Sequence, residues 1–363
     1  MLAIQIKFKR VNELNCNEEV IDCVAKTCPP RGFMWFLFNT PTTFKKEIGY
    51  YTTIMPKLIE FCIQYKLTLD CYAKCYGARI SSDECSEEVD EDACLLLENL
   101  KCNGYNTLDR FIGLDCNCTQ AVIRDLAVFH AVPIAYKFKH PDIFESFSPI
   151  LKKGINSVFS EEIIEQTCKR YQEFMFDKHQ ELLPRVKSGY RKILNYANPL
   201  GNTNVLFKTI THNDMWVNNI MTKFGGDHIE TKFVDYQILE YSSLADDLVF
   251  FLYSSVQIEV LQEHCDDFIA FYYKVFIDTL KTLQCNVHIY TFDAFMEEIS
   301  YVAKNQFSHL LCMLVPIYTL KNKAKDLVNF TMDDFQPRRE NVHENFVERL
   351  NFIIEDFSRK NWI

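Results

Sequence analysis

The chain has 363 residues, 48 % hydrophobic and 24 % charged, with 30 Phe and 18 Tyr against 10 Gly and 11 Pro. That length predicts two domains or one two-lobed unit, and the composition excludes a disordered, collagenous or linker-dominated protein. The formal charge of −10 leaves no basic footprint for nucleic acid, and no apolar run reaches the roughly 18–20 residues of a membrane span.

The 15 cysteines are odd in number and lack the paired C-x₂-C spacing of a structural zinc site, so they read as reduced thiols. At the N-terminus the apolar residues precede Lys7, Lys9 and Arg10, the reverse of a secretory signal. The expectation is a cytoplasmic protein with no membrane span and no nucleic-acid partner.

Leu2–Lys9 alternates apolar and polar side chains, the period of a half-buried strand. Glu19–Lys26 is a second strand, stopped by Pro29 and Pro30. A helix follows Pro41, with Phe44, Ile48, Tyr51, Met55 and Leu58 on one stripe. Cys71–Ile80 and Ala93–Glu98 are two further strands. Between them, residues 83–92 hold seven acidic side chains in ten, which reads as a solvated hairpin loop.

From about residue 107 the pattern turns helical. Ala121–His130, Glu161–Asp177, Asp246–Ser255, Gln257–Leu283, Asp293–Leu314 and Asn341–Phe357 are expected as helices. Asn204–Thr211 and Ile220–Gln237 interrupt them as β-like stretches, with Gly225-Gly226-Asp227-His228 as a turn. These elements predict an α+β fold. A small β-rich lobe spans residues 1–100 and a larger, mainly helical lobe with an embedded hairpin spans 101–363, joined at Glu98–Leu100.

The chemistry concentrates on that hairpin. The ten glycines contain neither G-x-G-x-x-G nor G-x-x-x-x-G-K-[ST]. Instead His212-Asn213-Asp214-Met215-Trp216-Val217-Asn218-Asn219 fits H-x-D-x-x-x-x-N, a spacing with about 0.04 chance occurrences at this composition. Paired antiparallel residues have a constant index sum, so a turn at 225–228 sets Asn219 opposite Val234, next to Asp235. An amide oxygen and a carboxylate there suit Mg²⁺, which takes oxygen ligands and keeps positions open for phosphate. Asp214 sits in the loop where a base meets a substrate hydroxyl. Taken singly, Asp214 and Asp235 read equally well as loop caps; the spaced set favours chemistry. In the small lobe Lys26 ends a strand and Glu47 lies on the next helix, the order of a phosphate-binding lysine and its paired glutamate.

Several segments fall in one order: Val24-Ala25-Lys26-Thr27-x-Pro29, Phe44-x-x-Glu47-Ile48-x-x-Tyr51, Leu97-Glu98-Asn99-Leu100, Leu126-Ala127-x-x-His130-Ala131, His212-x-Asp214-x-Trp216-Val217-Asn218-Asn219, Val234-Asp235-Tyr236-Gln237 and Asp247-Leu248. From about residue 2 to at least 255 the chain thus resembles the ecdysteroid kinase-like (CHK kinase-like) family of small-molecule kinases, relatives of choline kinases and aminoglycoside phosphotransferases. No D-F-G follows. The resemblance implies a protein-kinase-like two-lobed fold and an ATP- and Mg²⁺-dependent phosphotransferase. Its acceptor would be a hydroxyl of a small organic molecule, an ecdysteroid-like steroid alcohol or a hydroxylated xenobiotic.

By the same resemblance Asp214 orients or deprotonates the acceptor and His212 braces its loop. Asn219 and Asp235 hold Mg²⁺, and Lys26, fixed by Glu47, meets the phosphates. The backbone of Glu98, Asn99 and Leu100 meets adenine. Asp247 matches a structural aspartate, with a helix N-cap as the plainer reading. Two departures stand out. The family carries a strand and a glycine- or serine-bearing phosphate turn ahead of the strand matched by Leu2–Lys9, so this sequence reads as N-terminally truncated. Asn213 also stands where glycine is common. Loss of the turn makes a weakened pseudokinase the alternative function. A choline kinase proper would need an ammonium cage, which no motif marks. Phe250, Phe251, Tyr253, Phe268, Phe271, Tyr272 and Tyr273 would suit a steroid, but at helical spacing they read as core.

Overall fold

Strands β1 (Leu2–Lys9) and β2 (Glu18–Thr27) form the antiparallel pair that the alternation predicts. After β2 come α1 (Phe33–Leu37), α2 (Thr40–Gly49) and α3 (Met55–Gln64), the last two joined by a π-helical turn over Tyr50–Ile54. The expected stripe of Phe44, Ile48, Tyr51, Met55 and Leu58 is buried along its whole length. β3 (Cys75–Arg79) and β4 (Cys94–Glu98) complete a four-stranded antiparallel sheet of order β1-β2-β4-β3.

β3 is shorter than the expected Cys71–Ile80, for a physical reason. The Cys71 carbonyl accepts the Phe233 N–H at 2.7 Å, and Tyr72 bridges Phe233 in parallel. The start of the stretch is therefore taken by the hairpin of the helical part instead of by β4. The acidic loop before β4 is largely exposed and ties itself together, Ser81 to Asp90 at 2.5 Å and Ser82 to Asp92 at 2.8 Å.

The computed structural model describes residues 1–9, 18–156, 158–195, 205–226, 228–326 and 328–363. The long α4 (Cys116–Lys139) overruns the expected Ala121–His130. Pro133 removes one helical N–H, yet the helix continues because its buried face packs along α10. There follow α5 (Pro141–Glu145), α6 (Ser148–Leu151), α7 (Glu161–Gln172) and α8 (Leu183–Arg191). Two small antiparallel ribbons come next. β5 (Lys208–Thr211) pairs with β8 (Glu240–Ser243), and β6 (Ile220–Gly225) with β7 (His228–Phe233). The expected strand residue Asn204 and turn residue Asp227 lie outside the described residues.

The chain ends with α9 (Leu244–Ser255), α10 (Ile258–Thr282), α11 (Phe292–Tyr318) and α12 (Asn345–Arg359). α9 is buried almost throughout and is held at both ends. Ser243 caps its first turn, accepting the Ala245 N–H at 3.3 Å. The buried Arg349 guanidinium reaches the Tyr253 and Val256 carbonyls at 3.3 and 2.5 Å, a cation where the helix dipole is negative. Phe250, Phe251, Tyr253, Phe268 and Tyr272 pack inside this helical core, as their spacing suggests. Among the described residues no helix is long and apolar enough to cross a membrane.

Candidate active site

The β6–β7 register has the index sum 453, from Ile220↔Phe233 to Gly225↔His228. Val234 continues it, donating its N–H to the Asn219 carbonyl at 3.0 Å. Asn219 and Asp235 therefore emerge at neighbouring positions on one end of the ribbon. Two residues here occupy the left-handed region, Asn213 at φ 62° and Asp235 at φ 70°. Asn and Asp tolerate that conformation better than other side chains, so Asn213 suits the position where the family resemblance leads one to expect glycine.

Asp214 is held from two sides. The Asn219 Nδ2 donates to its carbonyl at 2.9 Å and to its Oδ2 at 2.7 Å. Burial pushes the Asp214 carboxyl up to about 7, and nearby Asp235 adds to the rise, while hydrogen bonding from Asn219 and Trp216 opposes it. His212 is fully buried and joins the loop to the strand. Its Nε2 donates to the Val234 carbonyl at 3.0 Å, and its Nδ1 accepts the Asp214 N–H at 3.3 Å. Those partners define the tautomer. Burial keeps its pKa low, so the ring is neutral.

Asp247 does more than cap a helix; Ser243 has that role. The buried Asp247 carboxylate accepts the backbone N–H of His212 at 2.6 Å and of Asn213 at 2.7 Å. His130 Nε2 donates to it at 3.0 Å, and His130 Nδ1 meets the Tyr272 hydroxyl at 2.7 Å. A chain from α10 through α4 to α9 thus grips the loop. His130 stood within a recognised segment, but 117 residues separate it from Asp247, and no local pattern links the two.

Lys26 bridges the two parts of the fold. Its Nζ lies 2.5 Å from Glu47 Oε2 and 2.6 Å from Asp235 Oδ1. Burial works against the ammonium, but the Asp235 and Glu47 carboxylates outweigh it and raise its pKa. Asn219 and Asp235 supply oxygen donors of the kind that magnesium takes. Asn219 spends its NH₂ on Asp214, and neither its Oδ1 nor Asp235 Oδ2 makes a hydrogen bond among the described residues. Glu98, Asn99 and Leu100 form a fixed corner after β4. The Asn99 N–H bonds Asp22 at 3.0 Å, the Glu98 carboxylate accepts the Lys74 N–H at 3.1 Å, and Leu100 is buried.

A cavity of about 120 Å³ opens beside Asp214. Its apolar wall includes Phe38, Ile155, Phe159, Ile238, Met313 and Phe335. The sequence singled out none of these, because they come from distant segments with no shared motif. A wider concavity of about 980 Å³ between α10 and α12 contains none of the candidate residues.

The model of the ecdysteroid kinase-like family matches residues 1–285. The chain belongs to that family. No curated protein matches the sequence. Among solved structures, the ethanolamine kinase of Plasmodium vivax is similar at 12 % identity, covering 99 % of this chain and 83 % of its own, with a TM-score of 0.44. An aminoglycoside 2′-phosphotransferase in complex with GDP aligns at 12 % identity over 99 % of this chain and 93 % of its own, with a TM-score of 0.45. A spectinomycin phosphotransferase in complex with ADP and spectinomycin gives 10 %, 97 %, 93 % and 0.44. This ecdysteroid kinase-like chain has the kinase-like arrangement of a small antiparallel sheet followed by a large helical part.

Proposed function

We propose that this chain is an ATP- and Mg²⁺-dependent kinase of a small organic molecule in the cytoplasm. Its acceptor is an alcohol group, on an ecdysteroid-like steroid or a hydroxylated xenobiotic. The observation that carries the reading is the three-way contact of Lys26 with Glu47 and Asp235, which joins β2 to the ribbon end bearing Asn219 and Asp214.

In this reading Lys26 is a cation held ready for the nucleotide phosphates, with Glu47 keeping it in place. Asn219 Oδ1 and Asp235 Oδ2 are the magnesium ligands. The corner at Glu98, Asn99 and Leu100 offers backbone groups to adenine. Bound Mg·ATP supplies the γ-phosphoryl group, whose bond to ADP breaks as its bond to the acceptor oxygen forms. Asp214, its Oδ2 steadied by Asn219, takes the hydroxyl proton. His212 and Asp247 touch no reacting atom; they fix the loop backbone so that Asp214 keeps its position.

The test is the thermal shift of the purified chain with saturating Mg·ATP, alongside Asp235→Asn. A ligand at about a hundred times its Kd stabilises a fold by roughly 2.7 kcal/mol. A magnesium-dependent rise that the variant loses supports the reading. No rise in the wild-type chain would favour a protein that binds a small molecule or partner without turnover.

A further inference from the structure

The cavity beside Asp214 narrows the acceptor, granted the kinase reading of that site. Its walls converge from stretches far apart in the chain. Phe38 follows α1, Ile155 and Phe159 lie between α6 and α7, Met313 is on α11, and Phe335 follows it. The polar groups on the lining are few, and most are already engaged or uncharged. Asn156 donates its Nδ2 to the Phe36 carbonyl at 2.6 Å and its N–H to the Leu37 carbonyl at 3.0 Å. His309 stacks on Phe250 at 4.2 Å and bonds Gln306 through Nδ1 at 3.1 Å. Burial pushes its pKa down to about 4, so it carries no charge at neutral pH. Burial pushes the Cys312 thiol up to about 12, so it stays protonated. Among the described lining residues, Asp214 is then the one group that can carry charge near pH 7.

Size points the same way. A volume of about 120 Å³ is close to the roughly 150 Å³ of a Leu/Ile/Phe-lined cavity that accepts a benzene ring. Pockets enclosing drug-sized ligands run from about 300 to 1,000 Å³. The cavity has room for one ring, and the remaining rings of a fused system would have to stand outside it.

We propose that the acceptor end seated at Asp214 is a single uncharged apolar ring bearing one hydroxyl, as in a phenol, a benzylic alcohol or a cyclohexanol. Additional hydroxyls on that ring would face Phe, Ile and Met side chains, and each one left without a partner costs roughly tenfold in affinity. A quaternary ammonium is the rival occupant, since Phe38, Phe159 and Phe335 supply aromatic surface. However, it brings no hydrogen-bonding end other than its own alcohol and must lose its hydration against a mostly apolar wall.

The experiment is ligand-observed NMR of the purified full chain with benzyl alcohol, without nucleotide. Choline and ecdysone serve as competitors, and Ile155→Trp and Met313→Gln as variants. The tryptophan fills the cavity, whereas the glutamine keeps its size and changes only its polarity. The expected result is saturable binding that both variants weaken at least tenfold and that neither competitor displaces. Failure of benzyl alcohol to bind, equal binding by both variants, or displacement by choline or ecdysone would overturn the proposal. The Mg·ATP thermal shift on the same samples reads the kinase assignment separately. A retained shift without ring binding sinks the ring acceptor alone, and ring binding without a shift sinks the kinase reading while the cavity assignment stands.

Discussion

Two antiparallel ribbons in this chain obey the same pairing rule and end up in opposite conditions. β1–β2 pairs without a break from Leu2↔Ala25 to Lys9↔Glu18, as β6–β7 does from Ile220↔Phe233 to Gly225↔His228. Yet Leu2 is 62 % exposed and Val20 48 %, while Ile220 and Phe233 are buried. Pairing sets where each side chain starts. Burial decides whether it is held there. The candidate chemistry lies where strands enter the core: at Lys26, beyond the buried Cys23 and Ala25 of β2, and at Asn219 and Asp235, beside the buried end of β6–β7.

The hardest test of that contrast removes the loop group that Asn219, at the end of the buried ribbon, holds in place. Asp214→Asn should lower turnover about 10²- to 10⁴-fold while the Mg·ATP thermal shift persists; ADP release measured near the wild-type rate would remove Asp214 from its role. Because its pKa is raised to about 7, kcat/KM should climb with pH through that value as the carboxylate ionises. The linkage has the opposite sign for stability. A carboxyl raised in the folded state stabilises fully below its unfolded pKa of about 4 and loses that contribution as pH rises through about 7. Asp214→Asn should therefore melt higher than wild type at pH 8, with the advantage vanishing near pH 4.

A second test cuts the grip from behind. Asp247→Ala strips the acceptor from two loop N–H groups and from His130, and urea unfolding should report a loss of about 3–5 kcal/mol. A loss below about 1 kcal/mol would mean that the loop is held elsewhere. The third concerns burial without a partner. Lys46, on α2, is 3 % exposed, and its Nζ has no hydrogen bond among the described residues. Burial lowers its pKa to about 8, against the pull of Glu240. The unfolded chain binds the extra proton between that value and about 10.4, so stability should rise across this window. Lys46→Met should abolish the rise and add about 1–3 kcal/mol at pH 7. The smallest effect belongs to the exposed ribbon, where Ile4→Lys should change stability by no more than about 0.5 kcal/mol.

By itself the sequence determined the ribbons, most of the helices and the H-x-D-x-x-x-x-N loop, because alternation, helical stripes and short spacings are local. It also determined that Asn219 and Asp235 come together, since a turn of known position leaves one register. Tertiary structure decided what local rules cannot carry. It drew Cys71 and Tyr72 away from β3 to the end of β7, and it ran α4 past Pro133 because packing outweighed one lost hydrogen bond. It brought His130 and Tyr272 to Asp247, and it closed Lys26 onto Asp235 across 209 positions. The cavity beside Asp214 is the plainest case: its walls come from stretches that share no motif and touch only after the chain has folded. Local pattern places groups along an element, and only the packing of elements against one another gives those groups partners, a dielectric and a pKa.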